Sequence, residues 1–83
     1  MTSETFYGRI GSITLDITTA EAMLGRDTDE RPAAVAILNR NMADLREMRE
    51  ALEQDASPTR YDLIDAQLVR AERLCEGAYG VPV

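Results

Sequence analysis

The fold class depends on one stretch near the N-terminus, Thr5-Phe-Tyr-Gly-Arg-Ile-Gly-Ser-Ile-Thr-Leu-Asp-Ile17. Gly11 and Ser12 lie at its centre, and glycine at the first central position suits a two-residue type II′ turn. A hairpin folded there places these residues on one apolar face: Phe6, Gly8, Ile10, Ile13, Leu15 and Ile17. The agreement of turn chemistry and alternation predicts a β-hairpin over residues 4–17.

A short helix is expected directly after the hairpin. Thr18-Thr-Ala-Glu21 has the spacing of a capping box, in which the threonine hydroxyl and the glutamate satisfy the first backbone N–H groups. Gly25 suits the end of that helix because glycine adopts a left-handed conformation at low cost. The sequence therefore predicts a helix over residues 18–25.

A long antiparallel helical hairpin follows. Asp29, Glu30 and Pro32 are start signals for a helix over residues 29–55. Its apolar stripe is Ala34, Leu38, Asn41, Leu45, Met48 and Leu52, flanked by Val35 and Met42. Ser57 and Pro58 predict the start of a last helix over residues 58–76. Its stripe is Tyr61, Ile64, Leu68, Ala71 and Cys75. We expect a single α+β, mainly helical domain spanning residues 1–83, with an apolar tail over residues 77–83.

Composition limits the chemistry that the chain can perform. The 83 residues include no histidine, no tryptophan and one cysteine, and all nine basic residues are arginine. An imidazole base, an amine for a Schiff base and a zinc ligand set are therefore missing. We expect a protein that is not an enzyme and has neither cofactor nor metal, with Cys75 as a buried, inert thiol.

Charge and hydropathy also limit the partners. The net charge is −6, and residues 27–55 carry eight acids against four arginines. Direct binding of nucleic acid needs a basic surface, so it is not expected. No apolar run approaches the roughly 20 residues of a membrane helix, and the first residues do not resemble a signal peptide. The sequence predicts a cytoplasmic protein without a membrane partner, as suits a lone reduced thiol.

Self-association through the helices is the leading functional hypothesis. A chain of this size buries a small core, and partner subunits are one way in which small domains gain stability. The predicted oligomer interface consists of Ala33, Ala34, Ile37, Asn41, Leu63 and Leu74. Asn41 has two interpretations, as a residue hydrogen-bonded to a neighbouring side chain or to water at the edge of the core, or as a residue that fixes helix register between subunits.

Two other functions are open. An inhibitor of the phage or mobile-element type would use an acidic surface to mimic nucleic acid, and its candidate residues are Asp44, Glu47, Glu50, Glu53 and Asp55. An oligomeric binder could instead sequester an anionic small molecule or nucleotide, since arginine suits phosphate and tyrosine suits a base. Its candidate residues are Tyr7, Arg9 and Arg26.

Overall fold

The chain forms three helices. The computed structural model describes residues 3–26, 28–52 and 58–78, and all of these except Leu52 are helical. The helices are α1 (Ser3–Arg26), α2 (Arg31–Ala51) and α3 (Pro58–Ala78), and a single 3-10 turn (Thr28–Glu30) leads into α2. The predicted α+β fold is therefore wrong: over the described residues the chain is an all-helical bundle. Residues 4–17 form no β-hairpin, and together with residues 18–25 they belong to one continuous helix.

Tertiary packing explains why α1 is a helix despite its glycines and β-branched residues. Its buried residues recur every three or four positions: Phe6, Ile10, Ile13, Ile17 and Ala20. That spacing places them on one side of a helix, where α2 and α3 cover them. Two threonine hydroxyls are accommodated within the helix itself, since Thr14 and Thr19 donate to the carbonyl oxygens of Ile10 (2.8 Å) and Leu15 (3.0 Å).

The predicted capping box has a different role. Thr18 and Glu21 lie inside α1, where both accept hydrogen bonds from the Arg70 guanidinium of α3. The Arg70 Nη2 atom lies 3.1 Å from Thr18 Oγ1 and 3.2 Å from Glu21 Oε1. Gly25 does not end a helix either, because α1 continues through it to Arg26. These polar groups therefore join α1 to α3 rather than starting a new helix.

The central helix is α2, which contacts both α1 and α3. Burial confirms the predicted stripe from Ala34 to Met48, whereas its last member, Leu52, is half-buried. The buried residues of α2 are Ala34, Val35, Leu38, Asn41, Met42, Leu45 and Met48. Helix α2 begins at Arg31, with Pro32 in its first turn, and ends at Ala51. Leu52 has an extended backbone, and its N–H bonds the carbonyl oxygen of Met48 at 3.1 Å. Residues 53–55 of the predicted helix lie outside the described residues.

Helix α3 is longer than predicted and continues through Gly77 to Ala78. Its buried residues are Ile64, Ala71, Cys75 and Ala78. Tyr61 and Leu68, which the prediction placed in the same stripe, are half-buried. Residues 79–83 of the predicted tail lie outside the described residues.

Side-chain contacts give the helix directions. From α2, Arg46 lies 3.7 Å from Glu72 and Arg49 lies 2.9 Å from Asp65, so α2 and α3 run antiparallel. The Arg60 guanidinium of α3 covers the Phe6 ring at 5.2 Å, and Arg70 lies near Glu21. These two contacts advance together along α1 and α3, which are therefore parallel. The result is an up-down-up bundle of 42 × 24 × 16 Å.

Candidate interaction surface

The predicted oligomer interface is divided between the core and the surface. Ala34 and Asn41 are buried within the chain itself, at 0% and 2% exposure. Ile37, Leu63 and Leu74 are half-buried and pack against the core, while Ala33 is exposed. The structure therefore does not bring these six residues together as one free surface.

Asn41 bonds within its own helix. Its Nδ2 atom donates to the carbonyl oxygen of Ile37 at 2.8 Å. This carbonyl lies four residues earlier, so the bond gives one N–H of the amide a partner within α2 itself. This acceptor is a backbone carbonyl of α2, not the neighbouring side chain or water of the first interpretation, and a role of Asn41 between subunits stays a prediction.

A different surface lies on the side of α1 opposite its buried residues, and it borders α3 at Thr18, whose hydroxyl accepts from Arg70. We call it the outer face of α1, and it consists of Gly8, Gly11, Leu15, Thr18, Ala22 and Gly25. All six residues are exposed. Leu15 is the most exposed large apolar residue of the described chain, at 67%, and Tyr7 on the border of this face is 50% exposed. Single exposed leucines are common, but this one lies on a helix face that has no charged residue near its centre.

The outer face of α1 carries no charged residue between its two ends. Three charged residues of α1 point instead toward its neighbours. Arg9 and Asp16 line a groove with α2, where Asp16 lies 3.6 Å from Arg40, and Glu21 pairs with Arg70 of α3. Charges lie at the ends alone, with Glu4 in the first turn and Arg26 in the last.

The glycines of this face have no explanation within the chain. A Cβ atom built on Gly8, Gly11 or Gly25 would meet no other atom within 4 Å, and none of these residues has a positive φ. Neither close packing nor backbone conformation therefore requires glycine here. Each helix-interior glycine costs roughly 0.5–1 kcal/mol relative to alanine. A face that keeps three of them is suited to the close approach of a second backbone.

Sequence reasoning missed this surface because it placed Gly8 and Leu15 on the inner face of a hairpin. The signal that could have found it is the helical spacing of these residues. Gly8, Gly11, Leu15, Thr18 and Ala22 recur at intervals of three and four residues. That pattern identifies a second helix face only once α1 is known to be helical.

The acidic candidates do not form a continuous acidic patch. Glu47 and Glu50 are exposed on α2 and make no ion pair with the described residues. Asp44 is half-buried and lines the groove between α1 and α2. Arg46 and Arg49 belong to the same helix and introduce positive charge between these acids. Glu53 and Asp55 lie outside the described residues.

The anion-binding candidates are separated from one another. Tyr7 lies edge-on to Phe6 with ring centroids 5.2 Å apart, whereas Arg9 lies on the other side of α1 in the groove with α2. Arg26 is about 25 Å farther along the helix from Arg9, and its Nε atom donates to Glu30 Oε2 at 3.3 Å. The structure therefore brings no two of these residues to one site.

Two shallow grooves flank α1. The groove toward α2, of about 240 Å³, is lined by two arginines and two aspartates: Arg9, Asp16, Arg40 and Asp44. Its charges balance, so it has no preference for an anion. The groove toward α3, of about 320 Å³, has a mixed lining that includes Glu21, Val69, Arg70 and Leu74. The Arg70 guanidinium is already bonded to α1 there.

The strongest electrostatic contact joins α2 to α3 on the surface. Arg49 Nε donates to Asp65 Oδ1 at 2.9 Å and Arg49 Nη2 to Asp65 Oδ2 at 3.3 Å, which gives a two-point pair. The hydrogen bond from Arg49 lowers the pKa of Asp65, and the same bond raises the pKa of Arg49. The guanidinium also covers the Tyr61 ring at 5.1 Å. This cluster joins helices rather than forming a reactive site.

The single thiol lies in the core. Cys75 Sγ is 3.9 Å from Asn39 Oδ1, and burial raises the pKa of the thiol. A raised pKa keeps the sulfur protonated and therefore weakly nucleophilic at neutral pH. Cys75 is thus buried in the core, as the sequence predicts.

The described residues form neither a metal-binding cluster nor a membrane-spanning helix. Among residues 3–26, 28–52 and 58–78, no three acidic or cysteine side chains come close enough to hold a metal ion. None of the three described helices has an apolar stretch of the length needed to cross a lipid bilayer. Comparison with protein-family models, with curated proteins and with solved structures gives no match.

Proposed function

We propose that this chain is a non-enzymatic protein–protein interaction module of the cytoplasm that self-associates through its helices. The observation that supports it is the outer face of α1, which exposes Leu15 on a helix surface that is uncharged between its ends. In a chain of which 29% of the residues are charged, such a surface is unusual. Burying it in a partner would remove the exposed leucine from water.

The thin shape of the bundle adds support. The molecule is 16 Å across its shortest axis, so each of its three helices keeps a broad side toward solvent. Small domains gain stability from partner subunits when their core is limited. Association through one helix face would extend that core without a change in fold.

Molar mass measured by light scattering after size exclusion tests the proposal. We expect a mass that rises toward the dimer over a tenfold increase in concentration in the micromolar range. A mass equal to the 9.2 kDa monomer at every concentration would contradict self-association. The variant Val69→Gln serves as a control for general surface hydrophobicity, because Val69 is 45% exposed on α3, outside the outer face of α1.

Mimicry of nucleic acid is the second candidate, and one observation favours it. Glu47 and Glu50 point from α2 into solvent and make no ion pair with the described residues. The double variant Glu47→Gln/Glu50→Gln would then weaken inhibition of a nucleic-acid-binding enzyme while leaving helix content unchanged. Equal inhibition by the double variant and the parent would count against this candidate.

A further inference from the structure

We infer that the outer face of α1 binds the same face of a second copy of this chain, with the two α1 helices antiparallel and a two-fold axis close to Leu15. This inference rests on the proposed self-association and adds its surface and geometry. A two-fold dimer uses one patch on both copies, so the patch must be complementary to itself. The sequence of α1 can be checked for that property residue by residue.

Charge complementarity selects the antiparallel arrangement. Glu4 lies eleven residues before Leu15 and Arg26 lies eleven residues after it. Antiparallel pairing centred on Leu15 therefore places Glu4 of each copy beside Arg26 of the other, at both ends of the interface. Parallel pairing would instead place Glu4 beside Glu4 and Arg26 beside Arg26.

Both Glu4 and Arg26 can form an ion pair with a second copy. Glu4 is exposed and makes no ion pair with the described residues. Arg26 uses its Nε atom for Glu30, but its side chain is 65% exposed and a guanidinium has five N–H donors. One edge of Arg26 is thus available to a second carboxylate.

Side-chain size fits the same arrangement. Gly8 and Ala22 each lie seven residues from Leu15, so antiparallel pairing places a glycine opposite an alanine on both sides of the axis. Gly11 and Thr19 are each four residues from Leu15 and also meet. Small residues at these positions let the backbones approach closely, and the two Leu15 side chains fill the centre.

The size of the contact sets the expected affinity. Helix α1 is about 36 Å long, and a contact strip about 10 Å wide along it is small among specific interfaces. We therefore expect a dimer that dissociates on dilution through the micromolar range. Experiments at two concentrations will sample both the monomer and the dimer.

Disulfide cross-linking tests the geometry directly. In a Cys75→Ala background, one chain carries Gly8→Cys and another carries Ala22→Cys. Antiparallel pairing brings these two sulfurs together, so oxidation of the mixture should give a covalent dimer containing one chain of each kind. Either chain alone should stay uncross-linked, because its two sulfurs would be about 21 Å apart, whereas a disulfide needs Cα atoms within about 7 Å.

Light scattering on Leu15→Gln completes the test and separates the two proposals. We expect Leu15→Gln to reduce the dimer fraction at least tenfold while Val69→Gln leaves it unchanged, with helix content equal by circular dichroism. A dimer that survives Leu15→Gln, or that cross-links through Gly8→Cys chains alone, would overturn this inference and leave self-association intact. A parent chain that stays monomeric throughout would overturn both.

Discussion

At the scale of single residues, the Arg49–Asp65 pair couples stability to pH. The Arg49 hydrogen bond is the chief cause that lowers the pKa of Asp65 in the folded chain from its ordinary value of about 3.9. As pH falls, the unfolded chain therefore takes up this proton first. The contribution of Asp65 to stability is fully present above the ordinary pKa and is lost as pH falls through the lowered one.

We therefore predict that Asp65→Asn flattens the pH dependence of stability below about pH 4. Denaturant midpoints measured from pH 6 to pH 2 check this, and the parent should lose more stability over that interval than the variant. Asp62→Asn is the matched control, because Asp62 is an exposed aspartate of the same helix and has no ion pair with the described residues. Parallel pH profiles for the parent and Asp65→Asn would contradict the prediction.

Asn41 is a second residue whose role can be decided. Its amide is buried and bonded to a carbonyl of its own helix, a hydrogen bond whose net worth is small. We predict that Asn41→Leu raises the free energy of unfolding by about 1 kcal/mol, because an apolar side chain avoids the desolvation of the amide. Urea unfolding measures this gain.

The same variant tests whether Asn41 fixes register between subunits. Because the observed Asn41 hydrogen bond lies within its own helix, we expect the molar mass distribution of Asn41→Leu to match that of the parent. A shift to a different oligomer would restore the register interpretation. Ala43→Leu, at an exposed position of α2, controls for added surface hydrophobicity and should leave stability within about 0.5 kcal/mol.

At the scale of elements, α1 could be either a hairpin or a helix by its pattern alone. Four of the six residues predicted to face inward from the hairpin are buried in the helix as well: Phe6, Ile10, Ile13 and Ile17. The strand period and the helix period select many of the same residues here, because the turn at Gly11-Ser12 moves the inward strand positions from even to odd residue numbers. Gly8 and Leu15 alone distinguish them, and both are exposed.

Gly11→Ala separates the two structures experimentally. In a helix with open space at the Cβ position, the variant should raise the free energy of unfolding by roughly 0.5–1 kcal/mol. In a type II′ turn the same residue needs a positive φ, so alanine would destabilise the chain. Urea unfolding at a concentration where the chain is monomeric measures the sign.

Gly77→Ala is the matched control for that experiment. Its Cβ also meets no atom within 4 Å, and it lies inside α3, apart from the segment that the experiment tests. The control should therefore be neutral or stabilising whatever structure α1 has. A destabilised Gly11→Ala beside an unchanged Gly77→Ala would argue against a helical α1.

Longer periodic patterns were more informative than short ones. The stripe of α2 runs through five turns, and its burial follows the sequence closely from Ala34 to Met48. Leu63 and Leu74 also follow the helical period, and they were predicted to be free for a partner. Their burial depends on how the three helices pack, and both lie against the core. The position of a third helix is a tertiary fact, which explains why the core of α2 could be predicted and the interaction surface could not.

At the scale of the whole molecule, stability depends on α2 because its contacts with each of the other two helices are more extensive than those between α1 and α3. Leu38 is fully buried in the core that the three helices share. A domain of this size has a total stability on the order of 5–10 kcal/mol, so the loss of one central side chain is a large fraction of it. The three helices should therefore unfold together.

Leu38→Ala and Leu15→Ala remove the same atoms from opposite environments. We predict that Leu38→Ala lowers the free energy of unfolding by roughly 2–5 kcal/mol, since it removes buried contacts and leaves a cavity.

Leu15→Ala should change the free energy of unfolding by less than about 0.5 kcal/mol in the dilute monomer, because Leu15 is exposed. At concentrations that favour association, Leu15→Ala should become destabilising, since a ligand-like partner stabilises the folded chain by mass action. Urea unfolding at two concentrations distinguishes these contributions. Equal losses for the two variants in the monomer would show that Leu15 lies in the core, and would contradict both the helix orientation and the outer face of α1.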